Sequence, residues 1–209
     1  MVTSRKTKRR RAMSQTDEEI MEQFCATKEA IFLEELIRRY EHDLYNYLRR
    51  YLGDSQLAED VFQSTFLQIF LKCDQFNTNR RFRPWLYMVA TNQAIDIQRR
   101  NKRHKHASLE KSILPMEGNL ENISLLDILP GDIAPPEDEM VLEERARRIR
   151  ECVDRLAEPL RQVIMLIYYE GMKYRDVAQI LGIPVGTVKS RLHTAVKKLG
   201  LWIRGVEDL

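Results

Sequence analysis

Residues 174–199 read YRDVAQILGIPVGTVKSRLHTAVKKL, and their spacing decides the reading of the chain. Ala178, Gly182 and Val188 stand where two short helices can cross over a tight turn. A glycine at 182 takes a positive φ without steric penalty and ends the first helix. Pro184 then keeps the chain out of helix before the second helix begins. Val177, Ile180, Leu181, Val188, Leu192 and Ala195 supply the apolar side of the pair. The outer face of the second helix is left to Thr187, Lys189, Ser190, Arg191, His193 and Thr194, with no acid anywhere in residues 184–199. Short polar donors and cations on an exposed helix face are what the major groove of DNA accepts. A merely solvated hairpin is the plainer alternative, and the charge bias favours DNA binding over it.

The remaining sequence is helical in pattern. At 209 residues, 44% hydrophobic and 31% charged, the chain has room for one large domain or two small ones. No apolar run is long enough to cross a bilayer, and the basic start MVTSRKTKRRRAM is not followed by the apolar segment of a signal peptide. A cytoplasmic location without membrane insertion is expected. Cys25, Cys73 and Cys152 are odd in number, far apart and without CxxC spacing, the usage of reduced and mostly buried thiols.

Residues 1–27 are expected to form a basic extension, with Arg5, Lys6, Lys8, Arg9, Arg10 and Arg11 as a solubilising arm or as added phosphate contacts. A first amphipathic helix is predicted over residues 28–52, with Ile31, Leu36, Tyr40, Leu44, Leu48 and Tyr51 on one stripe and Gly53 as its stop. The next, over residues 55–72, is unusually regular: Ala58, Val61, Phe62, Thr65, Phe66, Ile69 and Phe70 recur at helical spacing and should be core. Its opposite face carries Glu59, Asp60, Gln63, Ser64 and Gln68, which the pattern alone reads as solvated. A third helix is entered through Arg83-Pro84. Residues 80–105 hold Arg80, Arg81, Arg83, Arg99, Arg100, Lys102, Arg103 and Lys105 against the single acid Asp96. Phe76, Phe82, Trp85 and Tyr87 are interleaved with these cations. Rings for stacking and charges for phosphates are what single-stranded nucleic acid needs, although buried aromatics would give the same pattern.

The sign of the charge then reverses. Residues 107–144 carry ten acids against the one base Lys111, broken by prolines and glycines, so 107–141 is expected to be an acidic linker. A second helical domain over residues 142–209 should contain a helix to about 156, another over residues 159–171, and the helix pair quoted first. Its core would draw on Ile149, Val153, Leu156, Leu160, Val163, Ile164, Leu166 and Ile167. The expected fold is all-α: two small helical domains joined by an acidic flexible linker, the C-terminal one containing a helix-turn-helix.

The run from Ala58 through Phe66, AEDVFQSTF, then Phe82-Arg83-Pro84-Trp85-Leu86-Tyr87, Asn92, Asp96, Arg99 and Arg100, then Tyr169-Glu170-Gly171 and LGIPVGTVKSRLH over residues 181–193, resembles the bacterial sigma factors of the extracytoplasmic-function group. The likeness covers roughly residues 28–103 and 142–200. It implies a factor that binds core RNA polymerase, at the β′ clamp helices and the β subunit, and directs it to promoter DNA. By the same resemblance Asp60, Gln63 and Leu67 would dock on the polymerase. Asn77, Thr78, Asn79 and Arg80 would line a pocket for a flipped base of the −10 element, with Trp85, Arg99, Arg100 and Arg103 also on that strand. Arg175, Thr187, Lys189, Ser190, Arg191, His193, Thr194 and Lys197 would meet the −35 element. An anti-sigma partner that buries the DNA-binding faces fits this group. Two residues depart from the family's habit: Ser64 stands where an acid is frequent, and Thr194 where an arginine is usual.

Two other functional classes share some of these residues. A helix-turn-helix regulator that is not a sigma subunit would share residues 174–199, yet no alternation of strand and helix suggests a receiver domain. For an enzyme, Glu34, Glu35, Glu59 and Asp60 and the four histidines offer carboxylates and imidazoles, but none is placed at metal-ligand spacing. No cofactor and no catalytic residue is expected.

Overall fold

A computed structural model of the chain describes residues 14–77, 80–105 and 139–203. Among them there is no strand, and they divide into two compact helical units. The N-terminal unit contains α1 (Asp17–Thr27), α2 (Ala30–Leu52), α3 (Ser55–Lys72) and α4 (Phe82–Lys105), with a 3-10 turn over Cys73–Gln75. The C-terminal unit contains α5 (Glu139–Arg155), α6 (Glu158–Ile164), α7 (Tyr174–Leu181) and α8 (Val185–Ile203). The basic tract at residues 5–11, residue 106 and residues 107–138 of the expected linker lie outside the described residues.

α1 departs from the sequence-based expectation, which left residues 17–27 in an extension and began a helix at Lys28. Thr16 opens α1 with a capping box: its hydroxyl accepts from Glu19 N at 3.3 Å, and the Glu19 carboxylate accepts from Thr16 N at 2.9 Å. Lys28 ends it in the left-handed conformation at φ 54°, where its N–H reaches Phe24 O. Ile20, Met21 and Phe24 are fully buried, and the helix packs on α2 and α4. Three apolar residues in a short acidic helix are a weak periodic signal beside a run of cations, which is why the pattern hides it.

α2 buries the expected stripe of Ile31, Leu36, Tyr40, Leu44, Leu48 and Tyr51, together with Phe32, Tyr47 and Glu35, and Gly53 stops it at φ 69°. Glu35 is only 3% exposed. Its carboxylate accepts from Arg38 Nη2 at 2.7 Å and Nε at 2.9 Å, and from Arg39 Nε at 3.0 Å. Arg39 also donates to Asp17 Oδ1 at 2.7 Å and to Gln15 O at 2.9 Å, and Tyr40 donates its hydroxyl to Asp17. α1 is thereby tied to α2 by charge as well as by packing.

α3 starts at Asp54, whose carboxylate accepts from Gln56 N and Leu57 N at 2.8 and 3.1 Å. Ala58, Val61, Thr65, Phe66 and Ile69 face α2 and α4, Phe62 is half-buried, and Phe70 emerges with its ring 5.8 Å from that of Phe24. The start of α4 is held from a distance. Phe82 N donates to Glu18 Oε1 of α1 at 2.7 Å, satisfying an amide that the first turn leaves without a helical partner.

In the C-terminal unit α6 and α5 pack on α8. Val153, Leu156, Val163, Ile164 and Leu166 are buried as expected, whereas Ile149, Leu160 and Ile167 are half-buried. The single helix expected over residues 159–171 is α-helical only to Ile164. Met165–Tyr169 widen into a π turn, closed by Glu170 N to Met165 O at 3.2 Å, and Gly171 turns the chain at φ 62°. The turn between α7 and α8 follows the reading of the sequence: Gly182 has φ 64° and the chain re-enters helix after Pro184.

Three outcomes follow. Phe24→Ala should lower the stability of the N-terminal unit in urea unfolding by about 3–5 kcal/mol, whereas a residue in a mere extension would change it by no more than about 0.5 kcal/mol. Gly182→Ala should destabilise the C-terminal unit by about 1 kcal/mol through its φ alone, since no atom lies within 4 Å of the added carbon. Hydrogen bonds from Arg38 and then Arg39 hold Glu35 below the ordinary carboxylate value of 4.5, against the opposing effect of burial. Its stabilisation is therefore present above that pH and lost as pH falls through the depressed value. An acid titration of stability should lose that component in Glu35→Gln.

Candidate functional site

Three surfaces carry the residues singled out in the sequence. The first is the outer face of α3. Asp60, Gln63, Leu67 and Leu71 lie at i, i+3, i+7 and i+11, one side of a helix, and all four are exposed. Leu67 keeps 57% and Leu71 61% of its surface in water, with Phe70 at 46% beside them. Apolar side chains clustered at this exposure mark an interaction surface more often than single ones do. Gln63 Nε2 donates to Glu59 Oε1 at 2.8 Å, which holds the amide along the helix.

Ser64 and Gln68 do not belong to this solvated face. Both are half-buried, and the Ser64 hydroxyl donates to Val61 O at 3.1 Å and to Gln93 Oε1 of α4. A small hydroxyl suits that seam, where a longer acid would have to turn outward. Leu71 and Phe70 were missed as surface residues. The signal for Leu71 was present in its position off the core stripe.

The second surface lies between α3 and α4. Arg80 N donates to Asn77 O at 2.8 Å, closing a turn, and both side chains are exposed. Thr78 and Asn79 lie outside the described residues. Below the turn sits an aromatic cluster: the Phe76 and Trp85 rings are 5.0 Å apart, Phe76 and Phe82 5.9 Å, and Phe82 and Trp85 6.0 Å. Of the four aromatics interleaved with cations, Phe76, Phe82 and Tyr87 are buried and Trp85 is half-buried. The cluster is core with one exposed edge, and Trp85 is that edge. Arg83 lies over the Tyr87 ring at 5.4 Å, so this cation is already engaged. Arg99 and Arg100 are exposed further along α4, past Gln98, whose amide donates to Tyr51 O at 3.2 Å. Arg103 lies in the last turns of the helix, and its side chain is outside what is described.

The third surface is α8. Lys189, Thr194 and Lys197 are exposed, Thr187, Ser190, Arg191 and His193 are half-buried, and Arg175 is exposed on α7. Two hydroxyls read as donors are turned back on the helix. Ser190 Oγ donates to Thr187 O at 3.1 Å, and Thr194 Oγ1 donates to Ser190 O at 3.0 Å. Their lone pairs remain as acceptors, so donation from this part of the face rests on Lys189, Arg191, His193 and Lys197. Behind α8, Arg155 and Lys198 lie over the Trp202 ring at 5.0 and 5.8 Å.

Among the described residues no group of histidines, cysteines and carboxylates is placed to hold a metal, and no helix is long and apolar enough to cross a membrane.

These surfaces coincide with known families. Residues 36–104 match Sigma-70 region 2, and residues 146–199 match Sigma-70, region 4. The chain is 31% identical over 170 residues to the ECF RNA polymerase sigma factor SigW of Bacillus subtilis, covering 81% of this chain and 88% of that one. It is 30% identical to the RNA polymerase sigma-H factor of Pseudomonas aeruginosa, over 77% of this chain and 80% of that one. Identity to the ECF RNA polymerase sigma-E factor of Escherichia coli K12 is 29%, with the same two coverages. In fold it resembles CnrH, solved with the cytosolic domain of CnrY, at a TM-score of 0.64 and 21% identity over 92% of this chain and all of that one. It also resembles the sigma factor RpoE, solved with the anti-sigma factor NepR from Bartonella quintana, at 0.58 and 20% over 84% and 98%. With both regions matched in order and a relative of this identity spanning most of its length, the chain belongs to the extracytoplasmic-function sigma factors of RNA polymerase.

Proposed function

We propose that this sigma factor divides its work among the three surfaces, with the outer face of α3 holding core RNA polymerase. The observation that carries this reading is the exposed strip of Asp60, Gln63, Leu67 and Leu71 on a helix whose other side is core. A carboxylate and an amide next to two exposed leucines offer a partner both register and apolar area to bury. The β′ clamp helices are the partner that the family resemblance supplies, and the β subunit is the second contact.

The turn from Asn77 to Arg80, with Thr78 and Asn79 between them, would take the flipped −10 base, and the exposed edge of Trp85 would support the unstacked strand. Arg99, Arg100 and Arg103 would hold its phosphates. On α8, Lys189, Arg191 and His193 would read the −35 element in the major groove. Thr187, Ser190 and Thr194 would accept from the bases, and Arg175 and Lys197 would touch the backbone. The reaction belongs to the polymerase, so this chain is a recognition subunit without turnover of its own, and it would act in the cytoplasm beside the chromosome.

CnrH and RpoE are each solved with the partner named above, and we extend that mode of control to this chain: an anti-sigma factor would cover the exposed Leu67, Phe70 and Leu71.

Runoff transcription by purified core polymerase on a pool of promoter fragments tests the function directly. Transcripts from a defined subset should appear only with this protein and vanish with Asp60→Ala plus Gln63→Ala. Specific duplex binding without transcripts would instead describe a simple DNA-binding regulator. Leu67→Ala should weaken core binding by about 2 kcal/mol, the value of the carbons no longer buried, while shifting unfolding by no more than about 0.5 kcal/mol. If Arg191 makes a bidentate guanine contact, Arg191→Ala should cost about 1–3 kcal/mol of −35 affinity and relax one base pair. An equal loss over all sequences would assign it to phosphate.

A further inference from the structure

The N-terminal unit brings together two cysteines that stand 48 positions apart. Cys25, on α1, is half-buried, and Cys73, which opens the 3-10 turn after α3, is 1% exposed. Cys25 Sγ donates to Cys73 O at 3.0 Å, which brings its sulfur against the residue that carries the second one. Lys28 Nζ donates to Cys73 Sγ at 2.5 Å and to Asp74 Oδ1 at 2.7 Å. The third cysteine, Cys152, lies on α5 in the other unit.

The surroundings make the two sulfurs unequal. Lys28 places its ammonium in contact with the Cys73 sulfur, and the thiolate is the form of a cysteine that reacts. Burial, and then the neighbouring Cys73, push the Cys25 thiol up to about 11, so it stays protonated at neutral pH. The cover over Cys73 is also weak. Lys28 and Asp74 keep 45% and 75% of their side chains in water, and an ion pair so exposed parts easily.

We propose that Cys25 and Cys73 are a redox pair that closes into a reversible disulfide when the protein meets a hydroperoxide. The Cys73 thiolate attacks one peroxide oxygen, the O–O bond breaks, and the departing hydroxide takes a proton to leave as water, giving a sulfenic acid on Cys73. The Cys25 thiol then attacks that sulfur, and its proton leaves with the sulfenic hydroxyl as a second water. In sum two thiols lose two electrons, hydrogen peroxide gains them, and one S–S bond forms. The bond joins α1 to the turn that leads through buried Phe76 to Asn77 and Arg80. The pairing rests on this geometry and not on the promoter roles proposed above.

The test uses the full chain treated with hydrogen peroxide at neutral pH, followed by thiol alkylation, intact mass and peptide mapping. The expected product is a monomer lighter by two hydrogens before alkylation, which then takes up a single alkyl group at Cys152 and yields a Cys25–Cys73 linked peptide; dithiothreitol added before the alkylation should restore three alkylatable thiols. Cys25→Ser should instead trap the sulfenic acid on Cys73, captured by dimedone. Lys28→Gln should slow the reaction roughly tenfold, because the attacking sulfur then has no cation in contact with it. The wild-type product is read directly, so poor folding of a variant does not decide the matter. No reaction, links only between chains, or oxidation of Cys152 as fast as the pair would overturn the proposal. Dimedone on Cys25 rather than Cys73, or an unchanged rate in Lys28→Gln, would overturn the assigned order of attack.

Discussion

A carboxylate withdrawn from water must be matched by cations, and the N-terminal unit is arranged around that demand at Glu35. Arg38 and Arg39 answer it from the next turn of α2. Fixing Arg39 in this way aims its guanidinium at Asp17 and Gln15, which brings the first turn of α1 to α2. With α1 held there, Glu18 points at the amide of Phe82 and sets where α4 begins. The beginning of α4 in turn fixes where the turn at Asn77 and Arg80 must close. A single buried acid is thus linked, through Arg39, Asp17 and Glu18, to the start of α4 and the loop proposed for strand capture.

The C-terminal unit is governed by backbone geometry rather than by charge. Gly182 allows the left-handed turn, and from it Ile183 N bonds back to Ala178 O. Along the presenting helix the hydroxyls of Ser190 and Thr194 are turned onto the carbonyls of the preceding turn. The cations beside them are left as the donors that project outward, with positions set by the helix.

Much of this was legible in the residues. The stripes of α2 and α3, the stops at Gly53 and Gly182 and the order of the family motifs are local patterns, and local patterns survive in sequence. α1 was not legible, because its three buried residues form a narrow stripe and its tie to α2 depends on an arginine 22 positions from the aspartate it meets. The π turn after Ile164 was hidden for a similar reason: a shift of one hydrogen bond leaves the apolar pattern almost unchanged. Asp60, Gln63, Lys189 and Arg99 are exposed, as their places off the apolar stripes predict, while the burial of Phe76, Phe82 and Tyr87 reduces an aromatic surface to the edge of Trp85. The Cys25–Cys73 contact depends on the folding of three helices and has no signature in spacing.

α3 has apolar residues on both of its long sides, yet the described residues cover only one of them. On the docking proposed above, the polymerase would supply the missing layer of the core, and binding would act as a last stage of folding. The apparent stability of the N-terminal unit would then depend on the concentration of free polymerase as well as on the chain. A copy left without a partner would keep an apolar strip open to chaperones and proteases.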